Sequence, residues 1–243
     1  AVSPLHPALH LDSYLPLSAP VRLEGVEENA SGLAFKPDPG TLYLVVNNPP
    51  GIVELTPEGA RKRAVRLEGF EDPEGIAWLG SDSFAVVEEK RGAIAIFDLP
   101  PGADSVGKAQ AREITVEGDL GNSGLEGIAY DPGSDVFYVV KEKDPKKIYR
   151  VTRKGEISNP WPAEAGPPGI SDMSDIYFHP PTGHLVILSH ESAAAVECTI
   201  EGKEVSRLPI DLRQAEGATL DGRGRLYICG EPYWFQAFEP GKQ

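Results

Sequence analysis

Glutamates and small oxygen-bearing residues recur at two matched sets of positions along this sequence. The first set is Ser31, Glu74, Glu126, Ser174 and Glu216; the second, 17, 15, 16, 17 and 15 residues later, is Asn48, Glu89, Glu142, Glu191 and Glu231. Seven of these ten are carboxylates, and Asp172 and Asp175 add two more beside Ser174. Carboxylates, hydroxyls and an amide with no clustered thiolate or imidazole form a hard-oxygen donor set, the kind that suits Ca²⁺ with its about six to eight oxygen ligands. If the side chains converge, their mutual repulsion amounts to several kcal/mol in a cleft of intermediate dielectric. Three remedies are open: a calcium ion, pairing with Lys90, Arg91, Lys141 and Lys143, or protonation of some carboxyls at raised pKa. A fourth reading leaves these groups in solvent or capping loop amides. The expected metal ligands are Glu74, Glu126, Asp175 and Glu216. Ser31, Asn48, Glu89, Glu142, Asp172, Ser174, Glu191 and Glu231 are the expected lining of the mouth. His190 is a weak candidate for a catalytic base, with no partner visible in the sequence; His179 and His184 fall on the opposite face.

The elements that must position these residues repeat. Ser31-Gly32-Leu33-Ala34-Phe35, Glu74-Gly75-Ile76-Ala77-Trp78, Glu126-Gly127-Ile128-Ala129-Tyr130, Ser174-Asp175-Ile176-Tyr177-Phe178 and Glu216-Gly217-Ala218-Thr219-Leu220 align. Their second positions are 43, 52, 48 and 42 residues apart, the period of four-stranded propeller blades. Each segment leads through a turn rich in Pro, Asp or Gly to an apolar run, such as Leu42–Val46 or Val136–Val140, and then to a third strand. Fourth strands such as Arg63–Leu67 are more polar, as outer edges are. The fifth repeat ends after its third strand, and Pro20–Gly25 matches Ala64–Gly69. The pattern therefore predicts an all-β fold: one five-bladed β-propeller of four-stranded antiparallel blades over residues 20–243, its last blade closed by the N-terminal strand and leaving no free sheet edge. Residues 1–19 read as an extended arm, 98–111 as a surface insertion, and 159–169 as loop. Glycine after the first-set residue reflects crowding of five inner strands at the axis.

Composition narrows the partners. With 23 Lys+Arg against 37 Asp+Glu the 243 residues carry a formal charge of −14, which excludes a nucleic-acid binder that needs a basic face. No apolar run is long enough to span a bilayer. The opening Ala1-Val2-Ser3-Pro4 lacks an initiator Met, as expected of a processed or truncated chain whose signal or anchor has been removed. Cys198 and Cys229 read as two buried thiols, with a single disulfide as the alternative. Zinc-protease, phosphate-loop, nucleophile-elbow and dinucleotide motifs are absent, and no organic cofactor is expected.

The motifs Gly69-Phe70-Glu71-Asp72-Pro73-Glu74-Gly75-Ile76, Leu125-Glu126-Gly127-Ile128, Val139-Val140-Lys141-Glu142-Lys143-Asp144-Pro145, Asp172-Met173-Ser174-Asp175 and Gln214-Ala215-Glu216-Gly217 together resemble the SdiA-regulated (YjiK-like) family of bacterial β-propellers over residues 20–238. The resemblance implies a periplasmic or extracytoplasmic repeat protein, attached to the inner membrane through a segment absent from this chain or exported across it, with calcium in its acidic channel. The chain departs from a fully acidic channel at Ser31 and Asn48, which places the ion toward blades two to five. The function expected is a binding module that holds Ca²⁺ and recognises a small-molecule or protein ligand at the channel face. The alternatives are a metal-dependent hydrolase of lactonase or gluconolactonase type and a metal-free scaffold.

Overall fold

The computed structural model describes residues 8–27, 29–117, 124–159, 161 and 167–241. Its strands form five sheets. Blade one holds Ala30–Lys36, Thr41–Asn47, Pro50–Leu55 and Arg61–Glu68, and blade two Pro73–Gly80, Ser83–Glu88, Ala93–Asp98 and Arg112–Thr115. Blade three is Leu125–Asp131, Val136–Lys141, Lys147–Thr152 and Ile157–Ser158. Blade four is Asp175–His179, His184–Ser189, Ala194–Cys198 and Glu204–Pro209. Blade five has Ala215–Leu220, Leu226–Gly230 and Trp234–Pro240. The first strand of each blade contacts the first strand of the next, and that of blade five contacts that of blade one. The ring is a five-bladed β-propeller.

The second and third strands are apolar almost throughout because both of their faces pack against neighbouring blades. Tyr43 and Val45 of blade one, for example, meet Phe84 and Val86 of blade two. Each fully buried Leu, Ile, Val or Phe in these interfaces contributes on the order of 1.5–3 kcal/mol. Outer strands alternate instead: in Arg61–Glu68 the buried residues are Val65 and Leu67, and the rest reach toward solvent.

Closure of the ring uses more of the N-terminus than Pro20–Gly25. Val21–Arg22 and Tyr14–Pro16 both pair antiparallel with Trp234–Pro240, so blade five is completed from Tyr14 onward. Ahead of it, Leu11–Ser13 form a 3-10 turn with Leu11 fully buried against blades four and five. Glu197, fully buried in blade four, accepts hydrogen bonds from Leu9 N (2.7 Å), His10 N (3.2 Å) and Ser206 Oγ (2.5 Å), and faces His184 Nδ1 at 2.7 Å. The remainder of the expected arm, 1–7, lies outside the described residues.

The 98–111 stretch is more than a surface loop. Ser105–Gly107 adds a fifth, parallel strand to blade one alongside Arg66–Glu68, and Lys108 reaches the buried Glu88 and, at 3.0 Å, Glu113 of blade two. The insertion staples two blades. In the 159–169 stretch, Pro160 and 162–166 lie outside the described residues; blade three's outer strand is the short pair Ile157–Ser158. Cys198 and Cys229 are buried free thiols in blades four and five.

Candidate functional site: the acidic mouth of the channel

Inner strands begin on one face of the disc, here the upper face, and the second strands end there. In three blades the pairing of these two strands skips one inner residue: Ser31 between Ala30 and Gly32, Glu126 between Leu125 and Gly127, Glu216 between Ala215 and Gly217. In blade two the shift between Pro73 and Ile76 takes in Glu74. A β-bulge frees a side chain from the in-and-out alternation of a strand and re-aims it. Four of the five first-set residues, Ser31, Glu74, Glu126 and Glu216, fall at these bulges, which turn them out of the inter-blade core; Ser174 instead precedes a strand that pairs regularly from Asp175 onward.

The register of the second strands sharpens the second set. Val46, Lys141 and Gly230 oppose the residue just before each bulge, so the matching mouth positions are Asn47, Glu142 and Glu231, with Glu89 after Glu88 in blade two. In blade four Leu188 opposes Asp175, which makes His190 the equivalent. The structure thus moves the blade-one member from Asn48 to Asn47 and the blade-four member from Glu191 to His190. Asn47 Nδ2 donates to Glu74 Oε1 at 2.7 Å. Asn48 is exposed and lines a separate groove of about 760 Å³ with Pro49, Pro50, Val26 and Arg66. The uniform separation of 15 or 16 residues in all five blades is the signal that carries this register.

Glu74, Glu126 and Glu216 are largely withdrawn from solvent. Burial pushes Glu74 up to about 7 against the hydrogen bonds from Asn47 and Ser31, and burial with the charges of Glu231, Glu74, Asp172 and Glu142 raises Glu216 to about 9. Glu126 is driven well above the usual range by burial and by Glu74, Glu89, Glu142 and Glu216 together. Burial also raises Glu89, against the hydrogen bond its Oε1 accepts from Gly124 N at 3.1 Å. Oxygens of Asp72, Glu74 and Glu89 lie within 4.8 Å of one another. Glu231 accepts from Gln214 Nε2 at 3.1 Å.

Two lysines partly answer this charge from the rim. Lys90 Nζ is 2.9 Å from Asp72, and Lys143 Nζ is 2.9 Å from Glu142 and 3.2 Å from Glu191. Lys141 turns away, donating to the carbonyls of Lys143 (2.7 Å) and Asp144 (3.1 Å). Arg91 serves Glu71 and Glu113, outside the mouth. All three remedies expected from the sequence therefore have local material, and among the ion pairs of the described residues the lysines reach Asp72, Glu142 and Glu191 but not Glu74, Glu89, Glu126 or Glu216.

Blade four fills the axis differently. A Cβ on Gly32 would stand 2.5 Å from Glu74 O, and one on Gly75 2.6 Å from Glu126 O, so the inner strands approach too closely for any side chain there. Asp175 occupies the fifth place in that ring and is buried. Its Oδ2 accepts from Ala218 N at 2.7 Å, and the amides of Ile176 and Ile128 also serve it. Burial raises its pKa well above the ordinary range despite these bonds. Asp175 is a plug that ties blades three, four and five. Ser174 Oγ is likewise committed, donating to Ala215 O at 2.8 Å.

Asp172 and His190 meet behind Glu216. Asp172 is fully buried; its Oδ1 accepts from Ser189 Oγ and from Glu191 N (3.2 Å), while Oδ2 faces His190 Nδ1 at 2.8 Å. The same ring nitrogen is 3.6 Å from Glu216 Oε1. Asp72, Asn47 and the Asp172–His190 contact are the parts of this site that sequence spacing did not single out.

Below the plug the channel opens to the other face in a cavity of about 470 Å³ bordered by Phe35, Trp78, Tyr130, Phe178 and Leu220, one from each blade.

Solved structures of similar fold accompany this geometry. The chain superposes on a chain of a nidogen/laminin complex with TM-score 0.60 and 18% identity, covering 84% of this chain and 73% of that one. Regucalcin from Agrobacterium tumefaciens strain C58, described as a calcium-binding protein, matches with TM-score 0.56 and 14% identity over 91% of this chain and 95% of its own. Virginiamycin B lyase from Staphylococcus aureus matches with TM-score 0.50 and 21% identity over 85% of this chain, which spans 64% of the lyase. At these identities the likeness is one of fold. The family model for SdiA-regulated proteins matches residues 11–239, nearly the whole propeller, and the chain belongs to that family.

Proposed function

We propose that the protein is an extracytoplasmic binding module that holds calcium in the acidic mouth and recognises a small-molecule or protein ligand on that face. The observation that carries this reading is the gathering of Glu74, Glu89, Glu126 and Glu216 at the mouth, where burial first and neighbouring carboxylates second raise their pKa. A group of carboxyls held together at such mutual cost is stabilised by a cation that replaces their protons. The donor set fits calcium: Glu74 and Glu89, with Asp72, already bring oxygens within 4.8 Å of one another, and Glu126 and Glu216 continue the ring. Asp175 supports the ring from below through its amide contacts. A calcium ion there would neutralise the mouth and offer its remaining coordination positions to oxygen atoms of a ligand. Regucalcin, similar in fold, is described as calcium-binding, which supports the reading; the case rests on the residues above. Placement outside the cytoplasm follows the resemblance to exported members of the family.

The test is thermal unfolding of chelator-stripped protein with calcium, and with magnesium as control. A calcium-specific rise in Tm is expected, since a ligand that prefers the folded state stabilises it by mass action, and Glu126→Gln should shrink the rise. No calcium-dependent shift would overturn the reading and leave the scaffold.

A metal-dependent hydrolase of lactonase type is the second reading, and one contact favours it: His190, isolated in the sequence, has its Nδ1 2.8 Å from the buried Asp172, and a carboxylate beside an imidazole is the pairing that general-base sites use. Turnover of a lactone panel that is lost in His190→Ala would establish it.

A further inference from the structure

We infer that the blade-three and blade-four side of the mouth carries a second metal site, adjoining the carboxyls of Glu74, Glu89, Glu126 and Glu216 (His190 Nδ1 is 3.6 Å from Glu216 Oε1) but using different ligands, His190, Glu142 and Glu191, and suited to a first-row transition-metal dication such as zinc. A ligand atom from each of these three residues falls within 4.8 Å of the others. One imidazole with two carboxylates, on three separate backbone positions of adjoining blades, is the mixed nitrogen and oxygen set that zinc, cobalt and manganese accept, with open positions left for water or a ligand. Calcium has no use for the imidazole.

A second observation points the same way. Among the described residues, neither Asp172 Oδ2 nor His190 Nδ1 makes a hydrogen bond of good geometry, although both are buried atoms 2.8 Å apart. Asp172 itself is fully buried and fixed through Oδ1 by Ser189 Oγ and Glu191 N. It is therefore a rigid acceptor aimed at the imidazole, with nothing yet fixing the ring's tilt. Metal-binding histidines characteristically give one ring N–H to a buried carboxylate and use the other nitrogen as ligand. With Nδ1 given to Asp172, the remaining nitrogen of His190 is the one left to coordinate. A cation on that nitrogen would set the ring and complete the Asp172 contact. The backbone supports the unit twice over, because Glu191 both offers a carboxylate and donates its N–H to Asp172.

Lys143 holds the place of the ion. Its ammonium bridges Glu142 at 2.9 Å and Glu191 at 3.2 Å, and its side chain is 37% exposed, so it can swing to water when a dication arrives. This assignment gives His190 to a metal and removes it from the general-base role. It does not depend on calcium being the ion in the neighbouring ring.

The experiment titrates Co²⁺ into chelator-stripped full-length chain with calcium in excess, reading the visible ligand-field absorption and the heat of binding, then displaces Co²⁺ with Zn²⁺. One Co²⁺ per chain is expected, retained in calcium and exchanged for zinc. His190→Ala and Glu142→Gln should weaken binding at least tenfold, Asp172→Asn by about 10- to 100-fold, and Lys143→Gln should tighten it. Glu74→Gln should leave it unchanged. Circular dichroism and the calcium-induced Tm shift of His190→Ala, a change at a position whose side chain is 26% exposed, show that the variant is folded and that the calcium reading stands or falls separately. Cobalt binding that survives His190→Ala, or that excess calcium abolishes, would overturn the second site.

Discussion

The two mouths of the channel are made by the same five strands and differ in almost every chemical respect. At the upper mouth the strands begin with bulges, and the freed residues are Ser31, Glu74, Glu126 and Glu216. Four residues on from the bulge, regular pairing has resumed and the same strands present Phe35, Trp78, Tyr130 and Leu220 to an apolar opening. Regular alternation feeds side chains to the blade interfaces and so builds the core. Breaking the alternation once, in four of the five blades, releases one side chain from that duty. The difference teaches that in this propeller stability resides in the regular part of each inner strand and chemistry in its single irregularity, with Asp175 as the partition between them.

The partition is where the comparison is most easily broken. Asp175→Leu removes the acceptor of the Ala218, Ile176 and Ile128 amides and crowds the axis at Gly127. Each buried donor left unsatisfied costs about 1–3 kcal/mol, so a loss of several kcal/mol and a fall in Tm of about 10 °C or more are expected. Asp175→Asn keeps an acceptor of the same shape and should cost only about 1 kcal/mol. Thermal melts of the two variants in chelator decide the point: equal damage would mean that the charge of Asp175, and not its acceptor geometry, holds the axis.

The upper mouth alone should make stability fall with alkalinity. Glu74 titrates at about 7 and Glu216 at about 9 in the folded chain, both raised from 4.5 by burial first. For a carboxyl whose folded pKa is raised, the folded state binds the extra proton, so its contribution is full below pH 4.5 and is lost as pH climbs through 7 and 9. At the acid end Glu113 and Glu204, lowered by their hydrogen bonds from Lys108 and Arg207, act in the opposite sense and are lost as pH falls below 4.5. Metal-free protein should therefore melt highest near pH 5 and several degrees lower at pH 9. Calcium should reverse the slope above neutrality, because its ligands must be deprotonated, and Glu126→Gln should flatten the metal-free profile. A metal-free Tm that rises steadily from pH 5 to 9 would show that the ring carries no such repulsion.

These contrasts also explain what was legible in the sequence. The propeller could be read because every blade repeats its own Gly and apolar pattern, and Pro20–Gly25 copies Ala64–Gly69 closely enough to reveal how the ring closes. The strap of Leu9 and His10 on Glu197 could not, since it joins positions nearly 190 apart through backbone amides that leave no mark on composition. Ser105–Gly107 is too short to show periodicity, and parallel pairing with Arg66–Glu68 depends on a neighbouring blade being in place. At the site, residue types were legible and register was not. Asn48 and Glu191 were counted from motif edges, whereas bulges and strand pairing put Asn47 and His190 in the ring. Asp175 looked like one more ligand because sequence shows its charge but not the amides that consume it.

The smallest effect tests the independence of the mouths. Trp78 borders the lower opening and donates its indole N–H to Ser81 O at 2.9 Å. Trp78→Phe keeps an aromatic ring there and removes that bond, which should cost about 1 kcal/mol and lower Tm by a few degrees. Sites with no shared partner behave additively, and the Asp175 plug lies between Trp78 and the carboxylate ring, so the calcium-induced rise in Tm should be the same in variant and parent. A reduced calcium response would mean that strain travels along the inner strand of blade two from Trp78 to Glu74, four residues away on the same backbone, and the channel would then have to be treated as one site with two ends.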